Sequence, residues 1–349
     1  MLNSLYYKAL NYKNFVSFKP DKDTSSFLEG RWFDMPFAKS REDFSIAAGD
    51  GSFNKKKFLE FNFCPVGAES LIFDGELKQF EQSEIFNIDH INFLDELLAN
   101  YMSIFELKCC LKSIVQYNVD YYLFDGSIFG DLQNPYPMGA KLPDDIKNDF
   151  NRGILNHLIE NINDLSSLDL SFPDIKKVFA HVNDNNDEDY NLHLSAIEKL
   201  LVLKEILKYN KRIISISKTS SSNDIFNSNV PDIALFDKYT NKSGISKICY
   251  KTVKRNFPVA NDFFNKLVFT IFYLRLNNNK SVLKVELPYY ATEEEVIKIV
   301  EAINRDLAGG YPYLLKKAHN DVVITNKDVE ELLKIGKVYE TTNREQLRM

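Results

Sequence analysis

The sequence predicts an α/β fold, a mixed sheet flanked by helices, and three observations carry that expectation. Short apolar runs rich in Phe, Ile and Val recur in both halves of the chain, at residues 44–48, 58–64, 212–217 and 266–276, which is the pattern of strands. Residues 91–117 are rich in Leu, Ile and Phe and free of Gly and Pro, so they read as one long helix, apolar on most faces and substantially buried. Composition is globular, with 44% hydrophobic and 26% charged residues among 349, which excludes disorder and fibrous repeats for the whole chain. That length suits one large domain or two ordinary ones.

Taken in order, the first 40 residues look irregular. Residues 44–48 form a short strand ending in Gly49-Asp50-Gly51-Ser52. Residues 58–64 partly alternate, with Leu59, Phe61 and Phe63 on one side, and residues 69–73 make a third strand. After the long helix, residues 120–124 form a fourth strand that runs into Asp125-Gly126-Ser127. Residues 131–142 contain Pro135, Pro137 and Gly139 and read as a loop. Residues 144–163 and 190–209 look helical, separated by a polar stretch at 183–189. Strands resume at 212–217, 232–236, 266–276 and 281–287. Thr292 caps a helix with Glu295 in the capping-box position, and that helix ends near Ala308-Gly309-Gly310. Two more helical stretches cover 313–320 and 328–335. Strand, strand, strand, helix, strand is the opening order of the ribonuclease H-like fold.

Several function classes drop out. Lys plus Arg is 43 and Asp plus Glu is 49, a net charge of −6. That excludes a histone-like basic coat, though a local basic groove stays open. No apolar run approaches the ~18 residues of a membrane span; residues 267–276 are too short and contain Thr270 and Arg275. The opening Met1-Leu2-Asn3-Ser4 does not read as a secretory leader. Cys64, Cys109, Cys110 and Cys249 show no CxxC spacing, which favours a reduced, cytoplasmic compartment. Five histidines include no HExxH, and no Gly-rich phosphate loop is present.

Asp-Gly-Ser occurs twice, at 50–52 and 125–127, each time after an apolar run. An Asp leaving a strand has a directed carboxylate, and a following Gly leaves room for a metal or phosphate. Two such acids on neighbouring strands could share a hard cation through oxygen ligands. The plain alternative is a pair of hairpin turns. Glu106 lies on the long buried helix beside Met102, Ser103, Cys109 and Cys110. An acid there is costly unless paired or metal-bound, or it reaches an exposed edge. With Asp50 and Asp125 it would complete a three-carboxylate site for two-metal phosphodiester hydrolysis. Near the C-terminus, Tyr311 can orient a phosphate or water, His319 can ligate a metal or move a proton, and Lys316 and Lys317 can meet backbone phosphates. A structural histidine is the competing reading for His319. Lys218, at a strand end before Thr219-Ser220-Ser221-Ser222, is either a phosphate contact or part of an ordinary loop, and Lys55-Lys56-Lys57 is open in the same way.

Together these blocks resemble the NurA nuclease family. The resemblance rests on Ile46-Ala47-Ala48-Gly49-Asp50-Gly51-Ser52, Glu106, and Tyr122-Leu123-Phe124-Asp125-Gly126-Ser127-Ile128. It continues through Ile214-Ser215-Ile216-Ser217-Lys218-Thr219-Ser220, Pro231-Asp232, Gly310-Tyr311-Pro312-Tyr313 and Ala318-His319. It implies a ribonuclease H-like (Piwi-like) core in one domain over 1–349, with core motifs at about 44–130 and 211–335 and a mainly helical insertion at about 140–210. It implies a Mn²⁺-dependent DNA exonuclease, with single-strand endonuclease action and Mg²⁺ as further options. The protein would be a homodimer working beside a HerA-type hexameric ATPase in double-strand break end resection. Asp50, Glu106 and Asp125 look like the family's acidic metal site, with Tyr311 and His319 as its C-terminal active-site pair. Two other classes remain: a guide-binding-like module that has lost catalysis, and a scaffold for a partner ATPase. Metal-dependent cleavage by the isolated protein separates both from the nuclease.

Overall fold

The computed structural model describes residues 3–12, 27–133, 153–173 and 188–341. A helix, α1 (Asn3–Tyr12), and an edge strand, β1 (Trp32–Asp34), lie within the first 40 residues, which the sequence reading took as irregular. Then come β2 (Ile46–Phe53), β3 (Lys56–Lys57), β4 (Asn62–Phe73) and β5 (Leu77–Ile88), the long helix α2 (Leu94–Val115) and β6 (Tyr121–Asp125). Next are α3 (Ile128–Gln133), α4 (Leu155–Asn163), α5 (Glu188–Leu207) and β7 (Ile213–Ser217). The second half adds α6 (Asp232–Tyr239), β8 (Gly244–Ser246), β9 (Cys249–Thr252), α7 (Asn261–Phe264), β10 (Val268–Arg275) and β11 (Leu283–Leu287). It closes with α8 (Glu293–Arg305), the hairpin β12 (Leu307–Ala308) and β13 (Tyr311–Pro312), then α9 (Tyr313–Val322), α10 (Asn326–Ile335) and α11 (Val338–Thr341).

Eleven strands share one sheet in the order β1-β8-β10-β11-β7-β6-β2-β4-β3, with β5 also on β4 and β9 also on β10. Its heart is β5-β4-β2-β6-β7. There β4 runs antiparallel to both β5 and β2, while β6 is parallel to β2 and β7. This is the ribonuclease H-like arrangement, extended by the antiparallel β11 and β10. Side chains alternate across each strand, so the sheet serves two cores. Ala47 and Tyr122 join the core containing Leu97, Leu98, Phe105 and Leu111 of α2. Ile46, Ala48 and Leu123 join the core containing Val296 and Val300 of α8 and Leu314, Leu315 and Ala318 of α9.

Several expectations change. β2 does not end before Gly49 but runs through Asp50-Gly51-Ser52 to Phe53, so the first Asp-Gly-Ser is strand, not turn. The strands expected at 58–64 and 69–73 are one strand, β4. Phe58 N–H donates to the Phe61 carbonyl at 2.9 Å, and this turn leaves Leu59 exposed while Phe58 and Phe63 pack on Val329 and Leu333. No strand is expected from the sequence at β5, because it runs beside β4 at the sheet edge with mostly exposed, polar side chains. Residues 232–236, expected as strand, begin α6 instead. Pro231 precedes the helix, and the buried Asp232 carboxylate accepts the Ile225 and Phe226 N–H groups at 2.9 and 3.1 Å. The expected loop at 131–142 contains the end of α3, and its residues 134–142 lie outside the described residues, as do 144–152 of the first expected helix and 183–187 of the polar stretch. The Thr292–Glu295 capping box is present.

Candidate metal centre

Asp50 sits in the middle of β2, and glycines flank it for packing reasons. A Cβ at Gly49 would lie 2.2 Å from the Tyr122 hydroxyl and 2.6 Å from the Glu69 carbonyl oxygen. A Cβ at Gly51 would lie 2.7 Å from Met102 Cγ on α2. Gly51 therefore admits the helix that carries Glu106; it does not leave space for a ligand, as the sequence suggested. Asp50 has the parity of Ile46 and Ala48 and so faces α9. One strand over, Asp125 ends β6 on the same face as Leu123, and Gly126 follows at φ +141°, a backbone that favours glycine.

Packed on the face that both acids share is α9. Its start is fixed by Asp306, whose carbonyl accepts Tyr313 N–H at 2.6 Å and whose carboxylate accepts Leu314 N–H at 3.0 Å. Beyond its end, Ile324 N–H donates to Ser52 Oγ at 3.0 Å, and Asn54 Nδ2 donates to the Ile324 carbonyl at 3.0 Å. Tethered at both ends and seated by Leu314, Leu315 and Ala318, α9 sets His319 Nδ1 2.7 Å from Asp50 Oδ2. One donor atom each from Asp50, Asp125 and His319 lies within 4.8 Å of the others. Two carboxylate oxygens and an imidazole nitrogen suit a divalent transition ion such as Mn²⁺.

Glu106 approaches from the opposite face, on α2. It lies outside the cluster of Asp50, Asp125 and His319 whose ligand atoms are within 4.8 Å of one another. Its Oε1 is buried without a hydrogen-bond partner. Burial, then the charges of Asp50, Asp131 and Asp125, push its carboxyl well above the usual range. An orphaned buried oxygen this close to the cluster's charges fits a cation ligand. Burial also raises Asp50, against the His319 and Gly51 hydrogen bonds that lower it. Directly across from Asp50 in the β2–β4 register is Glu69, which the sequence reading did not single out. Its Oε1 is also buried and unpartnered, and burial followed by the charge of Asp321 raises it to about 7.

The hairpin turn at Gly309 and Gly310, both at positive φ, brings Tyr311 to the site. The Tyr311 hydroxyl is buried beside Asp125; burial, then the charges of Asp125 and Asp50 and its interaction with the Asp125 carboxylate, raise it far above the usual phenol value. Lys218 Nζ lies 3.0 Å from Asp125 Oδ2 and 4.6 Å from the centre of the Tyr311 ring. Lys218 is thus in the site, held by an acid rather than waiting in a loop. Lys316 is exposed on α9, and Lys317 pairs with Asp321 on the same helix. Of the three-lysine run, Lys55 pairs with Asp95 and Lys56 with Glu330.

The sheet order and the acid–acid–imidazole cluster define a ribonuclease H-like protein with donors arranged for a divalent cation. The sequence profile of the NurA domain matches residues 44–324. A Methanocaldococcus jannaschii protein named as a probable DNA double-strand break repair nuclease NurA is 32% identical over 336 residues, covering 88% of this chain and 82% of its own length. The chain belongs to the NurA family. Its fold is similar to that of the Sulfolobus solfataricus NurA nuclease, with a TM-score of 0.77, 24% identity and 99% of each chain covered. It is also similar to a NurA crystallised with dAMP and manganese, with a TM-score of 0.63, 15% identity, and 95% of this chain and 96% of that one covered.

Proposed function

We propose that this protein is a metal-dependent DNA nuclease that hydrolyses phosphodiester bonds during the resection of double-strand break ends. The single observation that carries the reading is the convergence of Asp50, Asp125 and His319 within 4.8 Å on adjacent ribonuclease H-like strands and α9. Membership of a family whose named members are repair nucleases supports it, as does the manganese and dAMP bound by one relative.

In this reading Asp50, Asp125 and His319 hold a divalent cation, with Glu106 completing the site from the α2 side. When bound, the cation supplies Lewis-acid polarisation of the scissile phosphate and a more acidic attacking water. An imidazole among the ligands favours Mn²⁺ over Mg²⁺, which prefers oxygen. Asp50 holds His319 in place through Nδ1. The Tyr311 hydroxyl, beside the Asp125 carboxylate, donates to a substrate phosphate oxygen. Lys218 exchanges its contact with Asp125 for a phosphate, and Lys316 and Lys317 lie where a DNA backbone passes over α9. A homodimer and a HerA-type hexameric ATPase partner belong to the same reading. No helix among the described residues is long and apolar enough to cross a membrane.

Cleavage of end-labelled DNA with Mn²⁺, with Ca²⁺ and with chelator tests the proposal. Activity is expected with Mn²⁺ and lost with Ca²⁺, whose looser coordination misplaces the water. Asp50→Asn and Asp125→Asn are each expected to abolish cleavage while the fold persists. Strong cleavage in chelator, or full activity in either variant, would overturn the reading.

A further inference from the structure

Two charged residues on β11, Lys284 and Glu286, are buried where the sequence pattern suggests a solvent-facing stripe. Glu286 has no exposed surface and Lys284 is 5% exposed, and they pair at 2.7 Å. Burying an ion pair is seldom the most stabilising choice; apolar residues of similar volume are often neutral or better. What the carboxylate grips explains its presence. Ser127 Oγ donates to Glu286 Oε1 at 2.5 Å, and Phe129 N–H donates to Oε2 at 2.9 Å. Ser127 Oγ in turn accepts Gly130 N–H at 2.9 Å. Gly126 N–H is tied to the Ile216 carbonyl at 3.0 Å. Every one of these bonds holds the four residues immediately after Asp125.

We infer that Glu286 is a positioning residue for the metal centre: it fixes the turn Gly126-Ser127-Ile128-Phe129 and so sets the direction in which Asp125 presents its carboxylate. Lys284 supplies the charge that balances this buried carboxylate. The inference rests on Asp125 being a metal ligand. Residues behind the ligands commonly change metal affinity by about 10–100-fold when removed, and the same range is expected here.

The test is Mn²⁺ binding by titration calorimetry on the full chain without DNA, for Glu286→Gln and Ser127→Ala, with circular dichroism to confirm folding. Glu286→Gln keeps the side-chain shape but loses the charge and one acceptor. Affinity is expected to fall about 10–100-fold in Glu286→Gln and less in Ser127→Ala, with cleavage restored by raising Mn²⁺. A purely structural role would lower the melting temperature and leave affinity unchanged; folded variants that bind Mn²⁺ like the parent overturn the inference. If Glu286→Gln fails to fold, Ser127→Ala alone decides, by the same two outcomes. Asp125→Asn is the control. Mn²⁺ lost in Asp125→Asn but kept in Glu286→Gln refutes this inference alone, whereas Mn²⁺ kept in Asp125→Asn refutes the metal site beneath it.

Discussion

Replacing Glu106 by Gln should stabilise the metal-free protein and forfeit most of the stabilisation that metal brings. In metal-free protein the Glu106 carboxyl is buried with an orphaned Oε1 and acidic neighbours. Leaving a polar group unsatisfied in the interior costs about 1–3 kcal/mol, more when it is charged. The folded-state value is raised above the ordinary 4.5, so above that ordinary value the unfolded chain gives up its proton first. The native state then binds more protons than the unfolded one, and stability falls as pH rises through the window between the two values. A neutral amide does not titrate. Glu106→Gln should therefore match the parent near about pH 5 and exceed it by about 1–3 kcal/mol near about pH 8 in chelator.

Unfolding entropy of roughly 2.1 cal/mol/K per residue over 349 residues makes each kcal/mol worth about 1.4 °C. The expected gain in chelator is thus about 1–4 °C. Saturating Mn²⁺ at about 100 times Kd stabilises a binding-competent fold by about 2.7 kcal/mol, or about 4 °C at the same conversion. The parent should receive that increment and the variant little of it, so their melting temperatures shift by about 4 °C relative to each other in the parent's favour, and the order reverses wherever the gain in chelator is below about 2.7 kcal/mol. Thermal melts at both pH values, with chelator and with Mn²⁺, read all four states. A variant less stable than the parent in chelator, yet equally stabilised by Mn²⁺, would refute both the buried charge and its role in metal binding.

Other expectations follow from the same geometry. His319→Ala should lower cleavage strongly and shrink the advantage of Mn²⁺ over Mg²⁺, since the nitrogen ligand is lost; an unchanged ratio in parallel assays leaves His319 only proton transfer or phosphate orientation. Lys218→Ala should weaken DNA binding and reduce its salt slope by about 1, while Mn²⁺ affinity holds or rises because Asp125 loses a competing cation; titrations at several salt concentrations check this. Gly49→Ala should destabilise more than Gly51→Ala, whose cost is about 1–3 kcal/mol of overpacking, because Gly49 meets the rigid Glu69 backbone and Gly51 a flexible methionine. Lys108→Met should destabilise by removing the cation 2.9 Å from Glu198, which is 0% exposed, but by less than the ~3–5 kcal/mol of an uncompensated buried charge, because the Ser171 and Phe172 N–H groups still donate to that carboxylate; chemical denaturation measures it.

What the sequence revealed of this site was local. Asp50 and Asp125 are visible because each continues an apolar strand, and α8 because its capping box is written within four residues. Placement of the acids on one face, and the His319–Asp50 contact across 269 residues of chain, are legible only as family resemblance, since no spacing rule encodes them. Misreadings arose where long-range burial overrode local pattern. The Asp50-Gly51 dipeptide has turn chemistry, yet a helix packed on Gly51 and a partner strand hold it extended. Asp232 opens a run that reads as strand, but its carboxylate is consumed by the Ile225 and Phe226 amides, which makes it the anchor of a helix start. Lys284 and Glu286 alternate with leucine and valine along the strand expected at 281–287, and both are buried because β11 lies between β7 and β10 with Phe129 of α3 bonded to Glu286. The charged side chains here have partners that the local pattern does not show: the Ile225 and Phe226 amides for Asp232, and Ser127 and Phe129 for Glu286. That is where a reading by periodicity must fail: periodicity reports which face a side chain takes, and only the fold reports whether that face meets water, a backbone amide or a metal.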